Sequence, residues 1–211
     1  MDKEFFELTD RSNSIQKYNF FLKNMQAETT LEKEVEDFLK KKKVVRILDL
    51  GCGKAQALKE LKEKFGSKVF IAGIDLVKTD GLDEFFEASA LEASFPKNID
   101  LVVSFRAMHF FSPLDVVFEK ISGCLAKGGK AFLSVRCQQF VGSSLLFHGN
   151  LNAKDLDFLK KISKEKSCFG VKCLVIEVKE KKTIVLINPT SGRKIPAQIE
   201  LVHGANVFLK N

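Results

Sequence analysis

The stretch that most constrains the fold is Val44–Ala55, "VVRILDLGCGKA". An apolar run broken by a single arginine reads as a strand buried on both faces, as in a parallel sheet. It ends at an acid, Asp49, and two alternate glycines follow, Gly51 and Gly53. From Lys54 to Phe65 the apolar residues Leu58, Leu61 and Phe65 fall at helical spacing. Strand, glycine turn and helix in that order place a turn at the carboxyl end of a strand, where open α/β sheets bind ligands. A missing Cβ there permits positive φ and close approach to the backbone.

The rest of the chain continues the alternation. "KVFIAGID" (68–75) reads as a second buried strand ending in an acid, Asp75. Ser89 follows Asp75 by fourteen positions, with thirteen residues between them. They allow a short third strand near Glu84–Ala88 but no full crossover helix. "NIDLVVSF" (98–105) and "KAFLSVR" (130–136) read as the fourth and fifth strands. Between them, Ser112 and Asp115 fit a capping box with Pro113 at the first helical position, and Gly128–Gly129 ends that helix. Asn152 caps a helix carrying Leu156, Leu159 and Ile162. "VKCLVIEV" (171–178) and "TIVLIN" (183–188) are two strands joined by "KEKK", a gap that fits only an antiparallel hairpin. The expectation is an α/β fold: a doubly wound, mostly parallel seven-stranded sheet with a C-terminal antiparallel hairpin and helices on both faces.

Before the sheet, "KYNFFLKNM" reads as an amphipathic helix or an arm over the domain. Thr29 and Glu32 fit a capping box for a helix presenting Leu31, Val35, Phe38 and Leu39. That helix runs into Lys40–Lys43, a favourable C-terminal charge or a nucleic-acid contact. The net charge of +7 is dispersed among alternating acids and fits a basic protein outside any membrane. No apolar run reaches the ~18 residues of a membrane span, and the acidic "MDKEFFELTD" start lacks a signal-peptide core. Five cysteines without a paired CxxC argue for reduced buried thiols in a cytoplasmic protein and against a metal site.

Strand–Gly-x-Gly–helix alone serves dinucleotides, mononucleotides and S-adenosylmethionine alike. Asp75, twenty-two residues after Gly53, is placed to accept both hydroxyls of a ribose. Gln56 stands where a dinucleotide fingerprint wants its third glycine, and "GCGKAQ" is not a phosphate-binding Walker loop. Asp49 would repel phosphate but suits an ammonium. At "DLGCGKA" (49–55), "GIDL" (73–76), "IDLVVSF" (99–105) and "LAKGGKAFLSV" (125–135), the chain resembles the class I, Rossmann-like S-adenosylmethionine-dependent methyltransferases.

The resemblance implies S-adenosylmethionine as cofactor and methyl transfer to an oxygen or nitrogen acceptor. It implies that Asp49, Gly51, Cys52 and Gly53 line the methionine and ribose part, the last three through backbone. It likewise places Asp75 on the ribose hydroxyls, Leu76 beside the adenine, and Ser104 and Phe105 by the sulfonium. Ser89–Ala90 stands where the family often has Asp-Ala, and a serine accepts the adenine amino group more weakly than a carboxylate. His109 in "RAMHFF" is the candidate catalytic base, and Arg106 a contact for an anionic group. That segment resembles the small-molecule branch, so a small-molecule acceptor is expected. RNA is the alternative, with Lys40–Lys43, "KEKK" and Arg193–Lys194 on phosphates, and a non-catalytic partner subunit is another. The domains read as an N-terminal helical arm or cap (1–43), the cofactor-binding domain (44–189) and a C-terminal extension of it (190–211).

Overall fold

The computed structural model describes the backbone of residues 13–141, 144–148, 151–187 and 194–211, and the side chains of 13–135, 151–175 and 207–211. Two helices precede the sheet, α1 (Ile15–Asn24) and α2 (Leu31–Leu39). Then follow β1 (Val45–Leu50), α3 (Gln56–Phe65), β2 (Val69–Asp75), β3 (Glu84–Glu87) and β4 (Ile99–Ser104). After these come α4 (Leu114–Cys124), β5 (Leu125–Val141), β6 (Ser144–His148), α5 (Ala153–Glu165), β7 (Ser167–Cys168), β8 (Val171–Ile187) and β9 (Lys194–Lys210).

The strands form one sheet in the order β3-β2-β1-β4-β5-β9-β8-β7, with β6 paired to β5. β1 to β5 run parallel, and β9 lies antiparallel between β5 and β8. The doubly wound sheet therefore stands as read, with the short β6 and β7 added to it. β2 and β3 are parallel neighbours, and no helix lies between them.

The hairpin is not where "KEKK" suggested. Residues 171–187 are one continuous strand, and its partner is Lys194–Lys210, paired from Ile187↔Lys194 to Lys172↔Lys210. Four charged residues mid-strand look like a turn locally, but the long partner strand pairs with Glu180, Lys181 and Lys182, and the register shifts at Lys179.

Each face of the sheet is covered by an apolar layer. One gathers β1, β2 and β4 residues under α4 and α5: Leu48, Ile74, Val102, Phe118, Ile121, Leu159 and Ile162. The other packs Ile47, Ile71, Leu101 and Val103 against Leu58 and Leu61 of α3, Leu22 of α1 and Val35 of α2. α1 is thus part of the core, with Ile15, Tyr18, Phe21 and Leu22 all buried.

Two helix starts differ from the expected caps. For α2 the cap is Thr30, whose hydroxyl accepts from Lys33 N–H at 3.2 Å. For α4 the helix begins at Leu114 without a cap of its own. Its first amide donates instead to Asp155 Oδ1 at 2.6 Å, and Ser112 Oγ donates to Asp155 Oδ2 at 2.7 Å. Asp155 also completes the capping box of α5 with Asn152. One buried carboxylate thus starts two helices, and fixes the segment between β4 and α4 against α5.

Candidate functional site

The carboxyl ends of β1, β2 and β4 meet at the glycine turn. Gly51 and Gly53 have φ of 72° and 58°, and Ala55 follows at 52°. The turn is fastened to β2: Gly51 N–H donates to the Ile74 carbonyl at 2.8 Å. Gly53 N–H donates to Asp75 Oδ2 at 2.8 Å, and Val77 N–H to Asp75 Oδ1 at 3.1 Å. Thr79 Oγ1 closes the loop on the Gly53 carbonyl at 2.5 Å. The acid at the end of β2 and the glycines after β1 are therefore one hydrogen-bonded unit. Asp75 stays half-buried at the end of β2.

Gly51 meets its own chain as well as any ligand. A Cβ built there would lie 2.3 Å from Ala107 Cβ, in the segment after β4. Cys52 turns inward: a Cβ on Gly73 would lie 2.7 Å from its sulfur. Ser104 is buried and donates its hydroxyl to the Leu50 carbonyl at 2.8 Å, tying β4 to β1. Leu76 is half-buried beyond β2. Ser89 and Ala90 open the turn after β3, with the Ser89 carbonyl accepting from Glu92 and Ala93 N–H. Lys120 of α4 reaches back to the Ala90, Leu91 and Ala93 carbonyls and fixes that turn.

Asp49 is fully buried. Its Oδ2 accepts from Tyr18 Oη of α1 at 2.6 Å. Its Oδ1 has no hydrogen-bond partner among the described residues. Burial pushes the carboxyl up to about 7, the Tyr18 hydrogen bond opposes this, and the Asp75 charge adds to it. Burial first, and Asp49 second, hold the Tyr18 phenol well above its ordinary range. Phe105 is buried with its ring edge-on to Tyr18, centroids 4.9 Å apart.

His109 lies in the single 3₁₀ turn Met108–Phe110, buried, its ring 4.0 Å from that of Phe110. Arg106 beside it is exposed at a φ of 66°. Gly53 and Asp75 are thus joined directly, Gly51 is tied to β2 through Ile74, and Asp49 is linked to Phe105 through Tyr18, whereas His109 and Ser89 stand on separate segments. Tyr18, Thr79, Ala107 and Lys120 belong to this framework without having stood out in the sequence as parts of it. Tyr18 is the chain's single tyrosine, but nothing local ties it to an acid thirty-one residues on.

Cys52, Cys124, Cys168 and Cys173 are buried free thiols. Burial pushes Cys124 and Cys168 up to about 12, which removes them as nucleophiles near neutral pH. Among the described residues no three His, Cys, Asp or Glu side chains gather to hold a metal ion. No helix among them is long and apolar enough to cross a membrane.

No curated protein matches this sequence. Among solved structures the chain is similar to 1,6-didemethyltoxoflavin-N1-methyltransferase from Burkholderia thailandensis, at 12% identity over 100% of this chain and 91% of that one, with a TM-score of 0.46. It is similar to TehB from Haemophilus influenzae at 16% identity, covering 92% of this chain and 66% of that one, TM-score 0.48. Phosphoethanolamine N-methyltransferase 2 from Haemonchus contortus gives 18% identity, 83% and 46% coverage and a TM-score of 0.47. The family model described as a methyltransferase domain matches residues 21–165. That span is more than half of the chain and takes in the glycine turn, Asp75 and the segment after β4, and so the chain belongs to the methyltransferase-domain family.

Proposed function

We propose that the protein binds S-adenosylmethionine at the glycine turn and transfers its methyl group to an oxygen or nitrogen of a small molecule. The observation that carries this is the Gly53–Asp75 hydrogen bond, which sets the carboxylate at the end of β2 against a glycine turn of positive φ. The donor set fits the cofactor. Asp75 offers acceptors to two ribose hydroxyls, and the Asp49 oxygen left without a partner among the described residues fits the methionine ammonium. Gly51, Cys52 and Gly53 offer backbone, Leu76 and Ala90 apolar walls, and the Ser89 hydroxyl an acceptor for the adenine amino group.

The bound cofactor supplies an activated methyl on a good leaving group, so alignment provides most of the rate. On the protein side, Ser104 and Phe105 fix the floor between β1 and β4, and α1 excludes water from it through Tyr18. His109 is the proton acceptor for a substrate that must lose a proton, with Arg106 as contact for an anionic group. The buried free thiols suit the reducing cytoplasm. An RNA acceptor draws less support. Two of the four lysines in Lys40–Lys43 are engaged within the chain, Lys40 with Asp37 and Lys42 with Asp100. The side chains of "KEKK" and Arg193–Lys194 lie outside the described residues.

Calorimetric titration with S-adenosylmethionine and S-adenosylhomocysteine tests the site. A charge-assisted hydrogen bond contributes about 1.5–3 kcal/mol. Asp75→Ala therefore weakens binding by on the order of a hundredfold. Absence of binding by the unaltered protein would overturn the reading. Transfer of labelled methyl to a small-molecule extract but not to RNA would support the acceptor class. Binding without transfer to either would point to a non-catalytic subunit.

A further inference from the structure

We propose that Tyr18 is the positioning residue for the cofactor's cationic end: its hydroxyl fixes Asp49 as an oriented carboxylate with one oxygen reserved for the ligand, and so makes α1 a part of cofactor capture. The inference rests on the methyltransferase reading above, which assigns Asp49 to the ammonium but gives α1 no part in binding it.

Tyr18 is in no position to move casually. It is fully buried, its hydroxyl is 2.6 Å from Asp49 Oδ2, and its ring stands edge-on to Phe105. α1 itself is held at its start and at its middle. Ile15 N–H donates to Glu60 at 2.8 Å, and the Asn13 carbonyl accepts from Ala57 N–H at 2.9 Å in the first turn of α3. Further along, Asn19 donates to Glu32 and accepts from Leu31 N–H, both at 2.8 Å. The phenol is thereby delivered to one oxygen of Asp49 by a rigid support.

The ionisable groups acting on Asp49 are Tyr18 from α1 and Asp75 from β2, and Cys52 of the glycine turn acts on Tyr18. These are a neutral phenol, a second anion and a thiol. None supplies positive charge, and Oδ1 accepts no hydrogen bond among the described residues. A buried carboxylate in this state is completed by a cation that donates hydrogen bonds, which is the chemistry of an α-ammonium group. Without the Tyr18 hydroxyl, burial and Asp75 push the carboxyl further toward its neutral form. A neutral acid offers a donor where the ligand needs an acceptor.

Binding is then linked to one proton. Below its midpoint, Asp49 must release a proton to solvent before it can hold an ammonium. With the midpoint at about 7, affinity falls by up to about tenfold per pH unit below it. Tyr18→Phe keeps the ring and removes only the hydroxyl, and it moves the midpoint upward.

The chain has one tyrosine and no tryptophan, so its tyrosine emission reports Tyr18 alone. We expect that emission, without ligand, to show a single transition centred near pH 7, because the hydroxyl's acceptor changes charge; Asp49→Asn should abolish it. S-adenosylhomocysteine is then titrated calorimetrically into unaltered and Tyr18→Phe protein across the same pH range, in buffers of different ionisation enthalpy. The variant should bind more weakly at neutral pH, release more protons on binding, and approach the unaltered protein at alkaline pH. An identical pH–affinity curve for the two proteins would make Tyr18 merely structural and overturn the proposal. So would an emission free of any transition removed by Asp49→Asn. Failure of the unaltered protein to bind at any pH would instead overturn the methyltransferase reading beneath it.

Discussion

Gly51→Ala is the substitution for which the structure gives the firmest magnitude. Two separate costs meet at this position. The backbone sits at a φ of 72°, where an L side chain costs about 1–2 kcal/mol. The new methyl would also stand 2.3 Å from Ala107 Cβ, with Phe111 Cζ at 3.6 Å behind it. Ala107 is buried, so relief must come from moving the segment after β4, and overpacking of that kind costs about 1–3 kcal/mol. The sum, about 2–5 kcal/mol, is a large part of the ~5–15 kcal/mol that holds a domain folded. Equilibrium urea denaturation reads it directly. Ala107→Gly removes the atom that is struck but leaves the dihedral cost in place. The double variant should therefore recover about 1–3 kcal/mol relative to the sum of the two single changes. A Gly51→Ala protein within about 0.5 kcal/mol of the original, or a double variant that is simply additive, would refute the packing argument.

Three further outcomes follow from the same geometry. Asp155→Ala removes the acceptor for Leu114 N–H, Ser112 Oγ and Asn152 N–H together, and should cost about 2–4 kcal/mol by denaturation, against about 1 or less for Ser112→Ala. Lys120→Met releases the Ala90, Leu91 and Ala93 carbonyls, and should lower S-adenosylhomocysteine affinity while Lys120→Arg retains most of it; equal affinities in all three proteins would sever Lys120 from the site. Asp49 is raised in the fold from 3.8 to about 7, so the folded state keeps a proton that the unfolded chain gives up. Its contribution to stability is complete below about pH 4 and is lost as pH climbs to about 7, a decline on the order of 4 kcal/mol at most. Asp49→Asn should flatten that slope in denaturation measured from pH 5 to 8, and an unchanged slope would assign it to other groups.

What could be read from the residues was whatever they encode locally. A buried strand, two glycines and a helix are neighbours in sequence and in space, so Val45–Phe65 was legible, as was the brief β2–β3 connection. Misreadings arose where distant residues override local ones. Ser112, Pro113 and Asp115 look like a helix start, but Asp155, forty-one residues beyond Leu114, does the capping. "KEKK" looks like a turn, yet Glu180, Lys181 and Lys182 are paired by a strand still to come, with an irregularity at Lys179. Lys194–Lys210 hid itself with Pro196, which local rules place outside strands. Pro196 pairs with Val185 of β8, and among the described residues the pairing of β9 with β5 begins at Ile199, so proline stands outside the stretch of β9 paired on both sides there. Tyr18 was illegible for the same reason as Asp155: its partner is set by the fold, and no spacing rule connects an N-terminal helix to the end of β1.

Several unfavourable features of the fold meet at the glycine turn and the segment after β4. α1, α2 and α5 each begin with a side-chain cap, from Ser14, Thr30 and Asn152, and α4 borrows Asp155. α3 begins at Ala55, which has no side-chain acceptor to offer and sits at a φ of 52° that alanine adopts only at a cost. Arg106, at 66°, bears a similar cost on the facing segment. Asp49, near the end of β1, is buried with one oxygen unmet among the described residues. A sequence selected for stability alone would place glycine at 55 and 106 and an apolar residue at 49, changes that physical reasoning marks as gains. Strain and desolvation of this size persist where they serve binding or chemistry. Positive φ at Gln26, Asn98, Lys166 and Phe169 shows that strain alone does not mark a site; at the glycine turn it coincides with a buried carboxylate whose second oxygen is unmet among the described residues, the combination expected of the proposed cofactor site.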